Sequence, residues 1–113
     1  MVKIYHNNRC GKSREALKML KEKGIQHEVV DYINTPVTEE ELEGVIEKLN
    51  MDAIDLIRKK EADWKEQFKG KELDEAEIIL AMIEYPKLME RPIIVKGEDA
   101  VVARPAEKMN DIL

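Results

Sequence analysis

The stretch Val2 to Leu20, VKIYHNNRCGKSREALKML, constrains the fold most, because it hands a strand over to a helix through a loop that holds the only cysteine. Val2, Ile4 and Tyr5 are strand formers, and His6-Asn7-Asn8-Arg9 lacks an apolar period and reads as loop. Gly11 lets the backbone turn sharply. From Ser13 onward, Ala16, Leu17, Met19 and Leu20 recur at helical spacing, and Gly24 fits a C-terminal stop. Cys10 is therefore expected at, or just before, a helix N-terminus.

That position carries chemistry. The first backbone N–H groups of a helix lack intrahelical partners and bear partial positive charge, so they stabilise anions. A thiolate is an anion, and the Cys10 pKa is expected to fall below the reference of about 8.5, with Arg9, Lys12 and Arg14 pushing the same way. The same N–H groups could cradle an oxyanion, with the Ser13 hydroxyl as a further donor. A buried, inert cysteine near a strand end fits the same spacing. Flanking by Arg9, Gly11 and Lys12 argues against an apolar burial site.

At 113 residues, with 43% hydrophobic content, four Pro and five Gly, the chain suits one globular domain spanning residues 1–113. The net charge of -5 disfavours a general nucleic-acid or anionic-membrane binder, so any anion site must be locally basic. No long apolar run offers a membrane span, and Met1-Val2-Lys3 leads into a strand without a signal-peptide pattern, which points to a cytoplasmic protein. A single cysteine cannot form an internal disulfide, and His6 and His27 alone make no clustered metal-ligand set.

Ile25 to Val30 reads as a second strand, completing a βαβ unit with parallel pairing. Thr38 with Glu41 resembles a capping box, opening a helix through Leu42, Val45, Ile46 and Leu49. A short helix carrying Ile54, Leu56 and Ile57 follows. Next come the charge run Arg58-Lys59-Lys60-Glu61, readable as a solvated helix end, and Ala62 to Lys71, where Trp64 and Phe68 make an amphipathic turn or two. Asp74 caps a further helix through Ile78, Ile79, Met82 and Ile83, ended by Pro86. Ile93-Ile94-Val95 and Ala100 to Ala103 are strands around the turn Lys96-Gly97-Glu98-Asp99, and Ala106 to Leu113 offers a short closing helix. This order fits an α/β fold: a four-stranded mixed sheet flanked by helices, of thioredoxin/glutaredoxin-like type, with a helical insertion between the second and third strands.

Two Arg-Pro pairs bracket the final hairpin, Arg91-Pro92 before it and Arg104-Pro105 after it. Proline restricts its own φ and its predecessor, so each arginine sits on backbone with few alternatives, as suits an anion site. Spacing alone favours two independent turn prolines beside surface arginines, since it does not bring Arg91 and Arg104 to Cys10.

With these residues in view, the chain resembles the glutaredoxin-linked ArsC family of arsenate reductases. The resemblance runs nearly end to end. It is carried by IYHNNRCGKSREAL at Ile4 to Leu17, Asn34-Thr35-Pro36, LIRKKE at Leu56 to Glu61, ERPIIV at Glu90 to Val95 and ARPAEKMNDIL at Ala103 to Leu113. It implies a thioredoxin-like fold with Pro92 cis beside the site, Cys10 as the nucleophile that attacks arsenate, and Arg58, Arg91 and Arg104 as oxyanion-binding residues. It also gives His6 a part in favouring the thiolate and Ser13 a supporting position in the loop, beside Gly11, which turns the backbone, and Lys12, which adds positive charge near the anion. Two departures stand out: Asn8 where the family usually has Pro, and Lys12 where a small residue is common. The related Spx-type regulators, which bind RNA polymerase, often carry Cys-x-x-Cys in this loop. Here the second position is Ser13, so no disulfide can form within it.

The resemblance thus implies reduction of arsenate to arsenite, with glutathione as co-substrate and glutaredoxin as protein partner, and with no metal or other bound cofactor. Two other readings stay open on the same residues. One is a glutathione-dependent thiol–disulfide oxidoreductase; the other is a non-enzymatic, Spx-like RNA-polymerase-binding regulator.

Overall fold

The computed structural model describes residues 1–113. Four short strands form one mixed sheet: β1 Val2–Tyr5, β2 His27–Val30, β3 Ile93–Lys96 and β4 Asp99–Val102, in the order β2-β1-β3-β4. β1 pairs parallel with β2, from Val2↔His27 to Tyr5↔Val30, and antiparallel with β3, from Val2↔Lys96 to Tyr5↔Ile93. β3 and β4 form the hairpin, with Ile93 opposite Val102 and Lys96 opposite Asp99. Gly97, at φ +61, occupies the first central position of its two-residue turn, where a type II′ turn calls for glycine. The helices are α1 Gly11–Glu22, α2 Glu39–Leu49, α3 Ala62–Gln67 and α4 Glu75–Glu84, with 3-10 turns at Ala53–Leu56, Pro86–Leu88 and Ala106–Asp111. This is the thioredoxin-like arrangement expected, helical insertion included.

The chain forms two compact units, Met1–Thr35 with Arg91–Leu113, and Pro36–Glu90. In the first, the central strands and α1 enclose a core of Val2, Ile4, Ala16, Leu20, Ile94, Ala103, Ala106 and Met109. α1 buries Ser13, Ala16 and Leu20, one residue per turn of the same face. It ends in a Schellman motif: Gly24, at φ +67, donates its N–H to the Lys21 carbonyl, and the Ile25 N–H reaches the Leu20 carbonyl. That closure takes Gly24 and Ile25, so β2 begins two residues later than the apolar pattern suggested.

In the second unit, α2 packs against α4, and α4 against the turns at Ala53–Leu56 and Pro86–Leu88. Thr38 Oγ1 caps α2 by accepting from the Glu41 N–H at 3.1 Å. Asp74 and Glu77 form a reciprocal capping box on α4, at 2.8 and 3.0 Å. The helix expected over Ile54 to Ile57 is only a 3-10 turn, because Ile57 leaves it to bridge Met89. α3 buries no residue; Trp64 stacks on Phe68 at 5.7 Å, and Phe68 meets Tyr85 edge-on at 5.6 Å. The closing segment is likewise 3-10 rather than α. No helix is long and apolar enough to cross a membrane.

Candidate active site

Cys10 is the N-cap residue of α1, with extended backbone at φ −93 and ψ 121, and is 9% exposed. Burial by itself pushes its thiol pKa up. That effect is outweighed by the Ser13 backbone N–H, the Arg91 charge, the Lys12 backbone N–H and a hydrogen bond from the Arg91 side chain, so the pKa lies below the ordinary thiol value. The direction matches the sequence expectation, but the cationic side chain responsible does not. Arg9, Lys12 and Arg14 are exposed, where solvent and salt screen a charge, and Lys12 Nζ sits 3.8 Å from Glu15. Lys12 acts on the sulfur through its main chain, and the charge comes from Arg91, far away in sequence.

The loop before Cys10 is pinned at several points. Asn7 accepts the Arg9 N–H on its side-chain oxygen and the Cys10 N–H on its carbonyl, both at 3.0 Å. Its own N–H donates to Ser13 Oγ at 3.0 Å. Ser13 and His6 are both buried, with Ser13 Oγ and His6 Nδ1 2.6 Å apart. Asn8 Oδ1, 3.4 Å from His6 Nε2, can only accept, so the neutral imidazole carries its proton on Nε2 and takes the Ser13 hydroxyl proton on Nδ1. The Ser13 hydroxyl is thus consumed in the loop. This corrects the reading of that hydroxyl as a donor to a bound anion; Ser13 faces the sulfur with its N–H instead. His6 holds Ser13 and Asn8, one step removed from the thiol.

Sheet register explains how the arginines arrive. Tyr5, which ends β1, lies opposite Ile93, which starts β3, so the loop leaving β1 emerges beside Arg91-Pro92. Ile93 in turn faces Val102, and the Ala103 N–H extends the ladder to the Pro92 carbonyl at 2.9 Å. Arg91 and Arg104 therefore share one end of the hairpin, where Arg104 donates to the Arg91 carbonyl at 3.4 Å and both side chains are half-buried. Both Arg-Pro bonds are cis; the resemblance had implied this at Pro92. Gly11 opens α1 directly after the thiol.

Arg58 belongs to the second unit. Its guanidinium donates to the Lys87 carbonyl at 3.0 Å and lies 3.6 Å from Glu61 and 3.5 Å from Glu90. The charge run that reads as a solvated helix end thus contains a half-buried, carboxylate-braced arginine.

Sequence reasoning missed two residues. Asn7 is the hub of the loop, and the signal was available: an Asn that bonds the N–H two residues on is an Asx turn. Asp31 closes the turn after β2 by accepting from the Asn34 amide nitrogen at 2.7 Å and from its N–H at 3.1 Å. The Asn34 side chain first, then its N–H and that of Ile33, hold the Asp31 carboxyl below the usual carboxylate range, against the smaller upward push of burial.

The sequence model of the ArsC family matches residues 5–112. The chain belongs to the ArsC family. It is 46% identical over 114 residues to the uncharacterized protein YfgD of Escherichia coli K12, covering 99% of this chain and 96% of that protein. It is 40% identical to the arsenate reductase of Neisseria meningitidis serogroup A, covering 99% of this chain and 97% of that one. The solved structure of the arsenate reductase from Vibrio cholerae superposes on it with a TM-score of 0.94 at 39% identity, covering 99% and 97% of the two chains. The ArsC match takes in all of the Cys10 loop and both Arg-Pro pairs.

Proposed function

We propose that this protein reduces arsenate to arsenite, with Cys10 as the nucleophile. The observation that carries the reading is the placement of the Cys10 sulfur at the N-terminus of α1, against two backbone N–H groups and the Arg91 guanidinium. Such a thiolate is ionised at lower pH than a free thiol, and the same donors suit an oxyanion brought up to it.

Arg91 and Arg104 hold arsenate through paired N–H donors, whose planar forks match oxyanion edges. Arg58 is proposed as the third such arginine on the resemblance, not on its placement. The Cys10 thiolate attacks arsenic, and an arsenate oxygen leaves as water after taking up protons. The N–H groups and arginines stabilise the negative charge gathered on the remaining oxygens. An external thiol, glutathione, then attacks the Cys10 sulfur. The new S–S bond accounts for two electrons, which pass to arsenic as arsenite departs. Glutaredoxin reduces the Cys10–glutathione mixed disulfide and restores the thiolate, a step the protein cannot perform with a single cysteine.

The test is arsenate-dependent NADPH oxidation coupled through glutathione, glutaredoxin and glutathione reductase. Turnover that requires arsenate and glutaredoxin in the native protein, and falls to background in Cys10→Ser, supports the reading. Arsenate-independent consumption of NADPH with a disulfide substrate would instead identify a general thiol–disulfide oxidoreductase.

A further inference from the structure

Away from Cys10, the second unit carries an open groove with two lobes. One lobe, about 400 Å³, is lined by Ile46 of α2, Ile79 of α4 and Met51. The other, about 330 Å³, is walled by Ile54, Ile78 and Trp64. Glu75 lines both lobes, a carboxylate ridge that they share. Its two carboxylate oxygens accept the Ala53 N–H at 3.2 and 3.0 Å, which holds this ridge in place.

The rim is acidic. Glu43 and Glu47 stand one turn apart on α2 along the first lobe, and Asp52 lines the second. Like charges at i,i+4 repel across a helix face. Glu43 and Glu47 are exposed, and neither takes part in an ion pair that would relieve this. A cation supplied from outside the chain would relieve it. Lys71 is the one basic residue lining either lobe. Neither lobe is enclosed, unlike the pockets that bury most of a small ligand. Two lobes with apolar lining, a carboxylate ridge that they share and flanking carboxylates instead match a helix that offers one apolar side chain to each lobe and lysine or arginine between and beside them.

We propose that this groove docks a cationic amphipathic helix presented by another protein, independently of the chemistry at Cys10. The apolar anchors of that helix, three or four residues apart, fill the two lobes. Its basic side chains pair with Glu75 on the ridge and with Glu43 and Glu47 on the rim.

The probe is a synthetic helix-forming peptide of about fourteen residues, with leucines at i and i+4 and lysines between and beside them, titrated into the full chain. Trp64 is the only tryptophan, so its emission reports the second lobe directly. Methyl NMR of Ile46, Ile79 and Met51 reports the first. Saturable binding with both signals moving is expected. The double substitution Glu43→Lys/Glu47→Lys, on exposed positions, should weaken it at least tenfold, while Glu98→Lys/Glu107→Lys, with the same change in net charge, should leave it unchanged. Equal loss in both doubles would reduce the effect to general charge attraction and overturn the proposal. So would methyl shifts outside the groove, equally tight binding of a peptide with glutamates in place of the lysines, or no binding at all.

Discussion

Arg91 does more to the Cys10 thiolate than any basic residue beside it in sequence, because it reaches the sulfur with both a charge and a hydrogen bond. In Arg91→Gln, the midpoint of Cys10 alkylation against pH should rise toward that of a free thiol; an unmoved midpoint would reassign the effect. For arsenate reduction, Arg91→Lys and Arg104→Lys keep the charge but lose the fork, so each should lower kcat/KM by at least about tenfold, roughly 1.4 kcal/mol. Unchanged kinetics in both would move the oxyanion site elsewhere. Asp31 makes a pH prediction of definite sign. Its folded pKa lies below its unfolded value, so its contribution to stability is present above that unfolded value, about 4, and is lost as pH falls through the folded one. The stability difference between the native chain and Asp31→Asn should therefore be visible at pH 7 and close progressively below about pH 4. A difference that persists to pH 2 would point to packing rather than charge.

Helix termini decide where the chemistry sits. α1 begins at the cysteine and ends in the Gly24 closure, and both ends are set locally. A Cβ at Gly24 would meet nothing within 4 Å, so the cost of Gly24→Ala is left-handed backbone strain alone, about 1–2 kcal/mol. Gly24→Asn should cost clearly less, because Asn tolerates that conformation, as it does at Asn50 with φ 56 at the end of α2. Denaturant midpoints of the two variants measure the difference; equal losses would show that the glycine matters for another reason. These ends were legible because capping and stop signals act over four or five residues. The 3-10 turns at Ala53–Leu56 and Ala106–Asp111 were harder to read, since short apolar runs show the same residue types in either helix, and partners outside the segment decide. Ile57, drawn to Met89, is such a case.

For the whole molecule, the proposal that residues 1–113 make one domain has a direct consequence. Trp64 lies in the unit Pro36–Glu90, whereas the sheet belongs to the other unit, so Trp64 fluorescence and far-UV circular dichroism weight the two differently. Urea unfolding should give coincident transitions by both probes, as a single cooperative domain requires. Separated midpoints would make the two units independent. Charge is also uneven along the chain: Arg9, Lys12, Arg91 and Arg104 belong to the thiol-bearing unit, while the acids of α2 and the Glu75 ridge belong to the other. A net charge of -5 therefore says little about the surroundings of Cys10. Local periodicity and caps determined the order of strands and helices, the position of Cys10 at a helix N-terminus and the hairpin turn at Gly97, because each is decided by residues only a few positions apart. Only the tertiary structure decided that Arg91, rather than Arg9 or Arg14, charges the thiol's surroundings, that Arg104 joins it, and that the Ser13 hydroxyl is spent on His6 and Asn7. Those depend on strand register and side-chain packing, which set distances between residues that the sequence keeps far apart.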